Sequence, residues 1–362
     1  MQKEGGEKIG FRGFNFGCSV PVTTTTNITT PQFTIGTTSL INGAPSEITS
    51  KSSTGRKENR SSFRLPGMEV SSAAQPWLDS QWRDMEWTEE QRTNLMKTVS
   101  SYRPSCGEVT RAQILLLGPV GAGKSSFISS VQSVFNGRVT NRAMVGSFPS
   151  SFTKKLQPFN IHGQKGEDPT GVVLCDIMGL SDGEMTGLTL HDVLSVIKGH
   201  VSEGHKFSPS QPVTCETVGY VRRPSLQDQI HCVVFVVDAS KVMSYPKSLS
   251  TTFQQLREHI SDLGVHQVAL LTHVDKVCPE TGKDVTSVYK SNIIREVMNK
   301  AGALLGMSTS YIVPVKNYSS ELNLDVNTDV LLLHAVDHIL QYADLYFQDN
   351  TTQDTELTKF KM

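Results

Sequence analysis

Gly118-Pro119-Val120-Gly121-Ala122-Gly123-Lys124-Ser125 constrains this chain more than any other stretch. It fills the pattern G-x-x-x-x-G-K-[ST] completely. The run before it, 112–117, is apolar and of strand length. After it, Phe127, Ile128, Val131, Val134 and Phe135 recur at helical spacing. Strand, glycine loop and helix together make an anion site. Glycines let successive backbone N–H groups turn inward as a nest. The helix that follows aims its positive dipole end at the same point. Gly118, Val120, Gly121, Ala122, Gly123, Lys124, Ser125 and Ser126 are therefore the candidate phosphate-binding residues. In such a loop the lysine reaches the β- and γ-phosphates and the hydroxyl at Ser125 ligates Mg²⁺.

The rest of the 362 residues suggests one domain with tails, or two domains. Residues 1–75 are rich in Ser, Thr, Gly and Asn and sparse in large apolar side chains, the composition of a disordered tail. Residues 76–107 form a lead-in that carries Trp77, Trp82 and Trp87, expected to pin it onto the following domain. Thr88 followed by Gln91 reads as a capping box, with a helix running to about Ser101 and ending before Pro104. Residues 108–349 form the nucleotide-binding domain and 350–362 a C-terminal tail.

Within 108–349 strand and helix patterns alternate, which implies a mainly parallel sheet with helices on both faces. Strands are expected at 156–162, 171–176, 230–238, 266–272 and 311–315. Helices are expected at 190–198, 248–262, 286–305 and 329–347. Residues 199–229 show no periodicity and read as an insertion. The fold class is thus α/β, a G-domain-like P-loop NTPase preceded by a disordered tail.

The net charge of −1 gives no footprint for nucleic acid. The opening residues do not read as a signal peptide, no apolar run approaches a membrane span, and no lipidation motif is present. The six cysteines are scattered, and Cys175 and Cys232 fall in apolar strands as buried thiols. Together these features point to a cytoplasmic protein without a membrane anchor. Ten histidines make no metal-spaced cluster, and His231, His266 and His334 read as structural or surface residues.

Further segments complete a nucleotide site. Asp176-Ile177-Met178-Gly179 ends a strand in the form D-x-x-G. Asp176 would support Mg²⁺ and the Gly179 N–H would meet the γ-phosphate. Thr272-His273-Val274-Asp275 ends another strand and is similar to the base-reading box [NT]-K-x-D, with His273 in place of lysine. A carboxylate at Asp275 accepts both adjacent N–H donors of guanine, whereas adenine offers no such pair. Asn317, after the last strand, would flank the base. The segment 138–155 should supply a Mg²⁺-binding hydroxyl from among Ser147, Ser150, Ser151 and Thr153, with Thr153 preferred. Leu180 stands where many GTPases orient the attacking water, so slow intrinsic hydrolysis is expected, raised by a homodimer or protein partner. The expected ligands are GTP or GDP with Mg²⁺. A non-hydrolysing interaction protein on the same fold is the alternative.

Several of these segments resemble the interferon-induced protein 44 family. The resemblance is carried by Gly118-Pro119-Val120-Gly121-Ala122-Gly123-Lys124-Ser125-Ser126-Phe127, by Leu174-Cys175-Asp176-Ile177-Met178-Gly179-Leu180, by the strand ending in Asp238-Ala239-Ser240, by Leu271-Thr272-His273-Val274-Asp275 and by Asn317-Tyr318-Ser319-Ser320-Glu321. It covers about residues 76–349 and makes His273 a family variation. It implies a P-loop GTPase-like fold, cytoplasmic location and induction in innate antiviral responses.

Overall fold

In a computed structural model the described residues are 76–140, 153–163, 169–180, 188–208 and 210–359. In chain order the elements are α1 (Glu89–Ser101), β1 (Ala112–Leu117), α2 (Lys124–Asn136), β2 (Gln157–His162), β3 (Pro169–Asp176) and α3 (Leu190–Ile197). They continue with β4 (Cys232–Asp238), α4 (Lys247–Asp262), β5 (His266–Thr272), α5 (Val274–Val277), α6 (Pro279–Lys283), α7 (Asn292–Leu305), β6 (Ile312–Pro314) and α8 (Val326–Lys359).

The strands form one sheet in the order β2-β3-β1-β4-β5-β6. All pairs are parallel except the edge pair β2–β3. Every residue of β4 is buried, as is nearly all of β1 and β5. Such apolar strands need cover on both faces. α8 packs against α1, α2, β4 and β5, while α4 packs against α3, α7 and β5. From the end of β1 the chain crosses to β3 on one side and later returns to β4 on the other. A ligand crevice in an open α/β sheet forms at such a reversal, outside the carboxyl ends of the strands.

The tryptophan lead-in is pinned to the domain, as its composition suggested. Trp82 stands edge-on to the buried Tyr289 ring at 5.0 Å, and Trp87 lies 6.3 Å from the same ring. Backbone bonds from Leu78 N–H to Lys290 O and from Trp82 N–H to Tyr289 O, both 2.9 Å, fix the register. Thr88 caps α1 by accepting the Gln91 N–H at 3.1 Å.

Helical spacing alone overextended one element. In place of a helix over 286–305, Val285–Tyr289 forms a 3₁₀ turn and α7 starts afresh at Asn292. Ser291 is the reason, because its hydroxyl caps the Ile294 N–H and so begins a new helix. The closing helix is longer than its apolar face indicated, extending to Lys359. The 199–229 segment has its own order: Val201 bridges Tyr220, the His200 and Tyr220 rings stack at 4.9 Å, and Leu226–Asp228 makes a 3₁₀ turn.

His231 is structural. It is fully buried, its Nδ1 accepts the Gln113 N–H, and its Nε2 meets Leu226 O at 2.8 Å. Burial lowers its pKa to about 4, so the ring is neutral. The Cys175 and Cys232 thiols are likewise buried, and burial pushes the Cys175 thiol up to about 12.

A buried ion pair ties α1 to α8. Arg92 Nε donates to Asp329 Oδ2 at 2.7 Å, and the Tyr318 hydroxyl donates to Asp329 Oδ1 at 2.7 Å. Burial still holds the Asp329 carboxyl above the usual range, so the pair fixes geometry more than it adds stability. Arg92→Ala would strand that carboxyl and should lower unfolding free energy by on the order of 3 kcal/mol. A shifted urea midpoint at constant slope is the expected readout, and an unchanged midpoint would show that the pair carries nothing.

Candidate functional site

The turn between β1 and α2 is possible only with glycine at particular points. Gly121 and Gly123 have φ of 75° and 95°, in the left-handed region. A Cβ on Gly118 would lie 2.1 Å from Val236 O, so the loop closes directly onto the β4 backbone. Within it Lys124 is 7% exposed and donates to Gly118 O at 2.8 Å and Pro119 O at 3.0 Å. Burial pulls its pKa down to about 8, although the Asp176 charge opposes that shift. Ala122 is buried, and Val120, Ser125 and Ser126 are partly exposed along the same turn. Gly179 approaches from β3, where a Cβ would fall 2.8 Å from Val120 N.

Three oxygen-bearing side chains converge beside the loop. Ser125 Oγ donates to Asp176 Oδ2 at 2.5 Å, and Thr153 Oγ1 donates to the same oxygen at 3.1 Å. Asp176 itself is buried at the end of β3, and its Oδ1 accepts the Ile177 N–H at 3.0 Å. Of the four hydroxyls considered from sequence, Thr153 is the one the structure brings to Asp176, while Ser147, Ser150 and Ser151 lie outside the described residues. The 199–229 segment holds Thr153 there. Phe207 N–H bonds Lys154 O at 3.1 Å, Leu156 N–H bonds His205 O at 3.0 Å, and Gly204 N–H bonds Leu156 O at 2.8 Å.

On the other side, β5 delivers its terminal residues to the loop. The buried Thr272 hydroxyl shares its proton between Ala122 O at 2.7 Å and Val237 O at 3.1 Å. Asn317 Nδ2 donates to Gly123 O at 3.4 Å, and Asn317 Oδ1 is buried without a partner among the described residues. Asp275 is half-buried at the start of α5, and its carboxylate makes no hydrogen bond or ion pair among the described residues. His273 has φ 56°, the one left-handed non-glycine residue among those described.

Sequence reasoning overlooked what holds His273. Its Nδ1 lies 3.4 Å from Asp238 Oδ2, and burial keeps its pKa below the ordinary value even though Asp238 favours the protonated ring. Asp238 also accepts Ser240 N–H at 3.0 Å and Ser240 Oγ at 2.6 Å, and meets Lys241 Nζ at 3.6 Å. Lys241 Nζ in turn stands 3.8 Å from where a Gly121 Cβ would be. Asp238 was visible as a strand-ending carboxylate, but only the β4–β5 pairing puts it beside His273. Leu180 is buried at 3% exposure, and its N–H bonds Gly118 O at 3.0 Å.

No family model matches the chain. The chain is 36% identical to human (Homo sapiens) interferon-induced protein 44 over 260 residues, 72% of this chain and 58% of that protein. This chain is a homologue of interferon-induced protein 44. The mouse (Mus musculus) protein of that name is 35% identical over 257 residues, 71% of this chain and 60% of the relative. Human interferon-induced protein 44-like is 34% identical over 267 residues, 74% of this chain and 59% of the relative. The chain thus spans about 60% of the length of the interferon-induced protein 44 relatives it matches. Among solved structures it is similar to one reporting that dimerization is important for the GTPase activity of chloroplast translocon components atToc33 and psToc159. That match has TM-score 0.36, 16% identity, and covers 70% of this chain and 88% of the other. A second, Aquifex aeolicus Era bound to GDP and AlF4, matches with TM-score 0.32 and 16% identity over 64% of this chain and 56% of that one.

The Thr272 hydrogen bond to Ala122 O can be tested without ligand. Thr272→Val keeps the shape and leaves the buried Ala122 carbonyl without its donor. The expected loss is about 1–3 kcal/mol of stability, read by thermal or urea unfolding.

Proposed function

We propose that the site binds a guanine nucleotide with Mg²⁺ and serves as a slow or partner-activated switch. The observation that carries this reading is the convergence of Lys124, Ser125, Thr153 and Asp176 on one side of the glycine turn and the unpartnered Asp275 carboxylate on the other. The residues fit the groups they would hold. Three hard oxygen side chains suit Mg²⁺ better than a softer ion. Left-handed glycines at Gly121 and Gly123 suit a backbone nest for phosphate. Asn317 Oδ1, buried with no partner among the described residues, leaves polar capacity beside the loop. Bound Mg²⁺ would neutralise charge building on the phosphates.

In this reading Gly118, Val120, Gly121, Ala122, Gly123, Ser126 and Gly179 offer backbone N–H groups to the phosphates. Lys124 leaves the Gly118 and Pro119 carbonyls for phosphate oxygens. Ser125 and Thr153 turn their hydroxyl oxygens to the metal, and Asp176 supports it. Asp275 accepts the guanine N–H pair, with Thr272, His273 and Asn317 flanking the base. Lys241 stands above Gly121 as a further cation. Leu180 offers no group to orient a water, which is the basis for slow hydrolysis. Induction by interferon, an antiviral role and a cytoplasmic location are proposed from the relatives' names and the charge and cysteine pattern. Among the described residues no helix is long and apolar enough to cross a membrane.

The rival reading, an interaction protein with weak or structural nucleotide binding, is favoured by the buried Leu180 and by His273 in the base box. Calorimetry with GTP, GDP and ATP in Mg²⁺ separates the two. GTP and GDP should bind at micromolar affinity or tighter, and Lys124→Ala should abolish binding. Asp275→Asn should weaken GTP and favour XTP, because xanthine carries a carbonyl where guanine carries its amine. Equal affinity for ATP and GTP would end the guanine assignment. Turnover that rises with protein concentration would place activation in a second copy.

The lowered Lys124 pKa gives a pH signature. Below about 8 the ammonium is already charged, so affinity should be flat there. Above that pH, binding must take up a proton, and affinity should fall by up to about ten-fold per pH unit. Proton uptake on binding at high pH, measured in buffers of different ionisation heat, is the check.

A further inference from the structure

A second polar cavity lies at the opposite end of β6 from the candidate nucleotide site. It has a volume of about 340 Å³ and is lined by Trp82 and Arg83 from the lead-in, Arg295 and Asn299 from α7, and the hydroxyl-bearing Thr309 and Ser310. Arg295 and Asn299 are four residues apart on one helix, so they share a face.

The cavity's charge is not balanced internally. Neither Arg83 nor Arg295 has a carboxylate within ion-pair distance among the described residues. Arg83 uses two N–H bonds to hold the backbone, to Ile312 O at 3.0 Å and Thr309 O at 3.1 Å. Its guanidinium also rests against the Trp82 and Tyr289 rings at 5.4 and 5.6 Å. A guanidinium carries five N–H donors, so this fixed Arg83 keeps spare ones. Arg295 is exposed and makes no side-chain hydrogen bond among the described residues. Trp82 adds an indole N–H that is buried without an acceptor. A buried donor left unmet is uncommon in folded proteins and calls for a partner.

The lining is therefore rich in donors and cations and lacks a carboxylate. Its complement is a ligand with several acceptor oxygens and more than one negative charge. We propose that this cavity is a phosphomonoester site, sized for a phosphate group and a short organic arm such as a phosphorylated serine or threonine side chain. Arg83 and Arg295 hold the phosphate from two elements, Thr309, Ser310 and Asn299 add hydrogen bonds, and the Trp82 face carries the organic arm. The site is independent of the nucleotide reading. It would make the junction of lead-in, α7 and β6 a recognition surface for phosphorylated protein.

The test uses the full chain carrying Lys124→Ala, which silences the glycine loop. Inorganic phosphate, O-phosphoserine and a short phosphoserine peptide are titrated by calorimetry. Saturable binding is expected, tighter for the peptide than for inorganic phosphate. Arg295→Glu should weaken it at least about ten-fold, as expected for losing hydrogen bonds to a charged group. Lys300→Glu makes the same charge change on α7 outside the cavity and should leave binding within about two-fold. Equal loss in both variants, or no saturable binding of any probe, would overturn the proposal. Inorganic phosphate binding as tightly as the peptide would overturn its protein-borne source.

Discussion

A lysine ammonium buried on two backbone carbonyls sets the terms for the site. Among the described residues Lys124 has no carboxylate in hydrogen-bond contact, and Gly118 O and Pro119 O carry its donors. Those carbonyls point inward only because Gly118 closes onto Val236 O and because Gly121 and Gly123 adopt left-handed backbone. The β1–β4 pairing then cannot shift without breaking the loop. Burial weakens the ammonium's hold on its proton, which makes the lysine sensitive to any negative charge placed beside it.

The neighbouring strands brace this loop from either side. β3 brings Asp176 under Ser125, and β5 brings Thr272 under Ala122. Asp238 joins His273, just after β5, to Lys241, beside Gly121. The loop after β6 is held further out, since Tyr318 bonds both Ser130 in α2 and Asp329 in α8, and Asp329 bonds Arg92 in α1. The lead-in helix is thus mechanically continuous with the loop after β6. Its tryptophans brace it through Tyr289, and Trp82 also lines the distal cationic cavity.

Much of this was legible in the chain. The glycine pattern marked the loop because each glycine answers a backbone demand that no other residue meets cheaply. The apolar runs marked β1, β4 and β5 because strands buried on both faces tolerate little else. The D-x-x-G and T-H-V-D segments were visible as strand ends. The break at Ser291 was not, because helical spacing continues across it and a hydroxyl cap is a weak local signal. Nor was the order of 199–229, where 204–207 pair with 154–156 and turns within the segment bond the rest, such as Val221 N–H to His200 O.

The sequence by itself determined the fold class, the glycine loop and the residues placed at the carboxyl ends of the strands, since local backbone geometry and burial dictate residue type there. The tertiary structure decided which of these side chains meet. Thr153 reaches Asp176 because the 199–229 segment clamps residues 154–156. Asp238 reaches His273 because β4 and β5 end in register. Arg83 and Arg295, far apart in sequence, share one cavity because Tyr289 holds the lead-in on the turn before α7 and Arg83 bonds Thr309 O and Ile312 O. Contacts between distant segments depend on sheet order and helix packing, and no local pattern encodes those pairings.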